Sequence, residues 1–219
     1  MAKSREKETD SGIQGEYNVT MYDEFQQNMR DRGWIQTNSI IQSGITEGSA
    51  LELGPGPGYL GLEWLKHTQG TTLTGLDISA DMISLAERNA ANYKLVDRVT
   101  YVHNTGASMP FEDNSFDAVF TTGSLHEWSD PLSTFEEMWR VLKPKGRLFV
   151  SDLRRDMLAP VRWFIWLTTR PKGIRPGFVT SLSAAYTPDE LETLIANTDI
   201  ESCSISGSLF GLQLTGVKE

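Results

Sequence analysis

Between residues 49 and 152 short apolar runs alternate with longer amphipathic stretches. The runs at 49–53, 72–77, 99–103, 116–121 and 147–152 read as strands, and 58–67, 80–92 and 131–142 as helices. Such alternation with short connections predicts a parallel sheet covered by helices on both faces. Asp81-Met82-Ile83-Ser84-Leu85-Ala86 combines good helix formers with an acidic first turn, and Ser79 is placed to cap it. Upstream, within 17–44, Met21, Phe25 and Met29 follow one another at i,i+4 and predict an amphipathic helix. Downstream, Thr187-Pro188-Asp189-Glu190-Leu191 opens another, with a cap, proline at N1 and then acids. Two β-like runs close the chain, 200–205 and 209–217. Residues 1–16 are polar and charged without an apolar core, so they are expected to be disordered rather than a leader or a membrane helix.

The first strand runs straight into Glu52-Leu53-Gly54-Pro55-Gly56-Pro57-Gly58, and an apolar helix resumes at Tyr59. Alternate glycines permit positive φ and close approach of a ligand, and the following helix offers free N–H groups to an anionic part of it. Gly54, Asp77, Thr105 and Thr121 all follow predicted strands, so one crevice at the carboxyl ends could collect them. A dinucleotide site is one reading, since Gly56-Pro57-Gly58-Tyr59-Leu60-Gly61 matches G-x-G-x-x-G and Asp77 follows at about the right distance. Register argues against it. Counted from Gly54, where the turn begins, the third glycine position holds Tyr59, and Gly61 falls inside the helix, where glycine costs about 1 kcal/mol against alanine.

The same loop, Glu52 to Gly58, resembles the first motif of class I S-adenosylmethionine-dependent methyltransferases. The resemblance continues in order through Thr74-Gly75-Leu76-Asp77-Ile78-Ser79, Met109-Pro110-Phe111-Glu112-Asp113-Asn114-Ser115-Phe116-Asp117, Leu125-His126-Glu127-Trp128 and Arg140-Val141-Leu142-Lys143-Pro144. It covers about residues 45–152 and is to the ubiquinone/menaquinone-type, or type 11, enzymes. It implies a Rossmann-like α/β fold with a seven-stranded, mostly parallel sheet ending in a helix and an antiparallel hairpin. It implies S-adenosylmethionine as cofactor, S-adenosylhomocysteine as product, and a small-molecule methyl acceptor.

By that resemblance Glu52 orders the loop and the methionine end, Gly54 and Gly56 admit the cofactor backbone, and Asp77 accepts the ribose hydroxyls. Ile78 and Met82 would pack on the adenine faces, or serve simply as core. The family acid for the adenine amino group is missing, and Asn104-Thr105-Gly106 stands at its place, so Thr105 or Asn104 would supply a neutral hydrogen bond. Thr121 would touch the methionine end. His126 would face the methyl position, either as general base, since histidine titrates near neutrality, or as a shaping residue. Tyr17 and Tyr22, in an N-terminal cap over 17–44, would close the substrate pocket or merely cover the sheet edge.

A net charge of −9 excludes a broad nucleic-acid-binding face. One cysteine, Cys203, precludes an internal disulfide and suits a reducing, cytoplasmic setting. His126-Glu127-Trp128-Ser129-Asp130 lacks the second histidine of a zinc site, and His67 and His103 complete no cluster, so no metal is expected. At 219 residues the chain makes one domain. A non-catalytic, cofactor-binding partner subunit remains an alternative to an enzyme.

Residues 154–186 are the expected acceptor-binding insertion. In 154–175, Arg154, Arg155, Arg162, Arg170, Lys172 and Arg175 face one acid, Asp156. Between them runs Trp163-Phe164-Ile165-Trp166-Leu167, with Pro160 placed to open a short helix. Trp163, Trp166 and Arg162 are the candidate substrate contacts, as a lid over an apolar, anionic acceptor. Ordinary core, a self-association surface and an interfacial helix on anionic lipid are the competing readings. The run is too short to span a bilayer, which takes about 20 residues.

Overall fold

The structure, a computed structural model, describes residues 4–6 and 12–219. Seven strands form one sheet: β1 (Ser49–Leu53), β2 (Thr72–Asp77), β3 (Val99–His103), β4 (Phe116–Thr122), β5 (Leu142–Asp152), β6 (Cys203–Gly207) and β7 (Leu212–Val217). Their order is β3-β2-β1-β4-β5-β7-β6. The first five pair in parallel, and β7 pairs antiparallel to both β5 and β6. An antiparallel strand inserted between the fifth and sixth departs from the 3-2-1-4-5-6 order of dinucleotide-binding sheets. Topology therefore agrees with glycine register in setting aside the dinucleotide site, and with it an NAD-dependent oxidoreductase.

Helix α1 (Glu16–Asp31) and α2 (Thr37–Gln42) precede the sheet, where a single helical segment was expected over 17–44. Gly33 separates them at φ 68°, a left-handed conformation that glycine accepts and that ends a helix. Helices α3 (Tyr59–His67), α4 (Ala80–Tyr93) and α5 (Pro131–Val141) fall where the periodicity places them. The Ser79 side chain accepts from Met82 N–H at 3.2 Å and Asp130 from Ser133 N–H at 3.1 Å, capping α4 and α5. Strand β5 begins five residues before the expected 147, because Leu142 already pairs with Phe116 before a register shift. Helices α6 (Ala159–Thr168) and α7 (Arg175–Ala184) fill the insertion, and α8 (Pro188–Ile195) starts on a complete capping box of Thr187 and Glu190.

Two apolar layers sandwich the sheet. Leu51, Leu53 and Val119 pack with Phe135 and Met138 of α5 and Leu191 of α8, while Ala50, Leu73 and Phe120 pack with Leu62, Trp64 and Leu65 of α3. Trp64 is wholly buried, and its indole N–H is satisfied by the Ile45 carbonyl at 2.9 Å. Alternate residues of β1 thus face opposite layers, which is why a buried acid can sit beside leucines in one strand.

The expectation of disorder over 1–16 lies partly outside the described residues. Of the described ones, Glu6 N–H donates to Ser183 O at 3.1 Å and Arg5 stacks on Tyr186 at 4.1 Å. Ser79 Oγ donates to Ile13 O at 2.6 Å, and Gly15 N–H to Asp81 at 2.9 Å.

Candidate active site

The glycine loop leaves β1 with Gly54, Gly56 and Gly58 at φ 63°, 52° and 84°, so all three need the left-handed region. Close approach adds to this at Gly54, where a Cβ would lie 2.8 Å from that of Ser124. Asp77, at the end of β2, holds the loop: Oδ2 accepts Gly56 N–H at 3.0 Å and Oδ1 accepts Ser79 N–H at 2.8 Å. Burial pushes its carboxyl upward, and those two N–H donors and His103 work against the shift. Each carboxylate oxygen keeps acceptor capacity for a further donor such as a ribose hydroxyl.

Gly54, Gly56, Asp77, Ile78, Met82, Thr105 and Gly106 border one crevice, as the sequence proposes. Ile78 is 42 % exposed while Met82 is buried, so Ile78 is the surface available to an adenine face. Asn104 Oδ1 is occupied by Thr105 N–H at 2.7 Å, and Thr105 Oγ1 accepts Ala107 N–H at 3.3 Å. Gly12 and Ile13 also border it. The donor set fits a nucleoside with a charged amino-acid tail: an acid for the ribose, a cleared backbone cradle, and neutral groups at the base.

Two expected cofactor contacts lie elsewhere. Glu52 does not border the crevice; it points under α3, where a Cβ on Gly61 would lie 2.2 Å from Glu52 Oε2. Burial pushes its pKa up to about 8, the Asp77 charge adds to this, and only the Gly61 N–H opposes. Thr121 is likewise buried away from the crevice, with its hydroxyl 2.7 Å from Leu53 O and 2.6 Å from Ser124 Oγ. Strand alternation explains both, since one residue's shift turns a side chain to the other face. Beyond Thr122, which borders the neighbouring cavity, Gly123 and Ser124 reach the crevice instead.

Beside the crevice opens a cavity of about 1350 Å³. Its wall is largely apolar, with Met21, Phe25 and Met29 of α1, Phe164 and Ile165 of α6, and Phe178 of α7. Tyr17 borders this cavity, and Tyr22 borders both spaces at the junction, as do Gly123 and Glu127. Burial pushes the Tyr22 phenol up, followed by the charge of Glu127, so it stays neutral. His126 also faces the cavity, buried on a one-turn 3₁₀ helix, Leu125–Glu127.

Asp152, which the sequence reading missed, anchors His126. It ends β5 beneath the histidine, accepting His126 N–H at 2.8 Å and lying 2.9 Å from ring Nδ1 with both oxygens. An acid ending a strand of this sheet is the signal that could have revealed it, as it did Asp77. His126 Nε2 lies 3.8 Å from Glu127 Oε1.

Trp163, Trp166 and Arg162 do not line the cavity; α6 turns Phe164, Ile165 and Thr168 to it. The helix buries none of its residues, which excludes ordinary core. Arg154 is bound to Asp156 at 2.7 Å and Arg155 to Glu190, so two of the six cations serve structure. Arg32 and Arg170 are the cations on the cavity wall. Among the described residues no cluster of metal-ligating side chains occurs, and no helix is long and apolar enough to cross a membrane.

A family model for the type 11 methyltransferase domain matches residues 51–150, from the middle of β1 into β5. The demethylmenaquinone methyltransferase of Porphyromonas gingivalis is 29 % identical over 59 % of this chain and 54 % of its own. The ubiquinone/menaquinone biosynthesis C-methyltransferase UbiE of an Enterobacter species is 31 % identical over 56 % of this chain and 50 % of its own. The chain thus spans about half the length of these curated relatives. A putative S-adenosylmethionine-dependent methyltransferase structure from Methanococcus maripaludis superposes with a TM-score of 0.73 at 22 % identity, covering 100 % of this chain and 97 % of that one. With the fold, the glycine cradle and the ordered blocks in agreement, residues 51–150 carry the type 11 methyltransferase domain, and over that span the chain is similar to class I S-adenosylmethionine-dependent methyltransferases.

Proposed function

We propose that the protein transfers a methyl group from S-adenosylmethionine to an apolar small molecule bearing an ionisable nucleophile. The observation that carries this is the meeting of two spaces: a crevice bordered by the glycine loop and Asp77, and a large apolar cavity, adjoin at Tyr22, Gly123 and Glu127. When bound, the cofactor supplies an electrophilic methyl carbon on a sulfonium. Asp77 would hold the ribose, Gly54 and Gly56 the backbone path, and Gly12–Ile13 would shield the nucleoside from water.

His126 is the residue placed to take a proton from the acceptor. The Asp152 carboxylate favours the tautomer with hydrogen on Nδ1, which leaves Nε2 with the lone pair. A proton taken at Nε2 makes an imidazolium that the buried Asp152 stabilises, as in other acid–histidine pairs. The apolar wall strips water from the nucleophile, and holding both reactants in one pocket supplies much of the rate. The named relatives methylate menaquinone and ubiquinone precursors, and a phenol-like ring with an apolar chain suits this cavity. Arg32 or Arg170 could receive an anionic group on the acceptor.

The test is methyl transfer from isotopically labelled S-adenosylmethionine to a panel of hydroxylated aromatic and quinol acceptors, alongside calorimetry with S-adenosylhomocysteine. Tight binding with turnover on apolar acceptors is expected. Binding without turnover across the panel would favour the non-catalytic partner-subunit reading.

A further inference from the structure

Helix α6 has two apolar faces. Val161, Ile165 and Thr168 recur at i,i+4 and i,i+3 and turn inward, while Trp163, Trp166 and Leu167 recur on the opposite side. Those three are 67 %, 36 % and 41 % exposed. Leu158, Val179, Leu209 and Phe210 are exposed as well, and Phe210 shares the cavity rim with Phe164. Most of the large apolar side chains that the described residues leave in water thus gather around the cavity mouth and the insertion that walls it. A concentration of exposed apolar side chains of this kind marks an interaction site.

Charge then selects the partner. From 157 to 188 the chain carries Arg162, Arg170, Lys172 and Arg175 and no acid, although its net charge is −9. Arg175 stacks over Trp166 at 4.3 Å and donates to Leu167 O at 2.8 Å, and Arg170 donates to the same carbonyl at 2.8 Å. Arg170 and Arg175 are therefore held at the C-terminal end of the apolar face. Two copies of this chain meeting face to face would bring like charges together, which disfavours an isologous dimer. A polyanionic sheet with an apolar interior meets both features at once.

We infer that the outer face of α6 is a docking surface for an anionic phospholipid bilayer. Trp163, Trp166 and Leu167 enter the boundary between headgroups and acyl chains, a depth that indole rings favour, and Arg162 and Lys172 lie against lipid phosphates. The acidic remainder of the molecule is repelled by the same surface, which fixes the orientation. The cavity mouth then faces the bilayer, so an apolar acceptor reaches it without crossing water. The inference concerns the surface alone and stands whether or not the methyl-transfer reading does.

The experiment is co-sedimentation of the full chain with vesicles, without cofactor or acceptor. Binding to vesicles containing phosphatidylglycerol is expected, with release at high salt and little binding to phosphatidylcholine alone. Trp163→Ala with Trp166→Ala should weaken binding by roughly tenfold or more, because the interfacial anchors are gone. Arg162→Gln with Lys172→Gln, two exposed positions, should weaken it by roughly fivefold per charge removed. Melting temperatures establish that each variant is folded, and the glutamine pair serves if the alanine pair is not. Failure of the wild-type chain to bind anionic vesicles overturns the inference. So do glutamine variants that bind like wild type, or a wild-type dimer in sedimentation equilibrium that the tryptophan substitutions dissolve while vesicle binding is absent.

Discussion

The imidazole Nδ1 of His126 lies 2.9 Å from both carboxylate oxygens of Asp152, whose Oδ2 also receives the His126 backbone N–H at 2.8 Å. One acid therefore fixes both the ring and the peptide that carries it. Both residues are buried, at 5 % exposure each, beneath a cavity large enough for an apolar acceptor. This arrangement serves a base better than a bystander.

His126→Ala should lower kcat by roughly 10²–10⁴, the usual contribution of a general base, with S-adenosylhomocysteine affinity preserved. Asp152→Asn should lower kcat too, and should change the pH–rate profile, because the amide offers its NH₂ to the ring and reverses the favoured tautomer. Steady-state kinetics across pH checks both. A loss below about tenfold in His126→Ala leaves that residue only a shaping role.

Asp77→Ala should weaken S-adenosylhomocysteine binding by roughly a hundredfold or more, given about 1.5–3 kcal/mol for each charge-assisted hydrogen bond lost. The carboxylate also ties down Gly56 and Ser79, so part of that loss reflects a loosened loop. Calorimetry on Asp77→Ala beside Asp77→Asn separates the two, since asparagine still offers an acceptor to a backbone N–H. Unchanged affinity in both variants would remove Asp77 from the ribose site.

Gly61→Ala should destabilise the fold by roughly 1–3 kcal/mol, the usual cost of overpacking a core. Helix propensity alone argues the reverse, by about 1 kcal/mol in favour of alanine. Packing wins because the new Cβ would meet Glu52 Oε2 at 2.2 Å and Leu73 Cδ2 at 2.3 Å, both in the sealed layer beneath α3. Denaturant titration decides it, and a stabilised variant would refute this account of the glycine.

Glu52 makes stability fall as pH rises. With a folded pKa of about 8 against an ordinary 4.5, the native chain keeps this proton while the unfolded chain releases it. Below pH 4.5 both states hold the proton; between 4.5 and 8 the native state is disfavoured progressively, by at most roughly 1.4 kcal/mol per pH unit. Glu52→Gln, neutral at every pH, should flatten that slope and gain most at the alkaline end. Urea melts at several pH values in both proteins test this. Parallel slopes would mean that Glu52 is ionised in the native state.

Much of this fold was legible because its signals are local. The glycine loop, the Ser79 cap, the Thr187 capping box and the first four strand runs each state a backbone preference within a few residues, and the structure realises them within a residue or two; β5 starts five residues early, and the two C-terminal strands each start three residues late. Asp77 was legible for the same reason, since the end of a strand in a parallel sheet is where ligands gather.

What the sequence determined by itself, then, was the order of elements, the glycine cradle with Asp77, and the methyltransferase domain those blocks resemble. Tertiary structure decided where adjacent side chains point and which distant ones meet. The period of a strand sent Glu52 and Thr121 away from the crevice they adjoin in sequence, and the period of a helix sent Trp163 and Trp166 away from the cavity that Phe164 and Ile165 line. Asp152 reached His126 only because β5 lies beside β4 in the sheet, a pairing made by residues far apart in the chain. Local propensity carries no record of such contacts; they exist only once the layers close and burial leaves each polar group the partners within its reach.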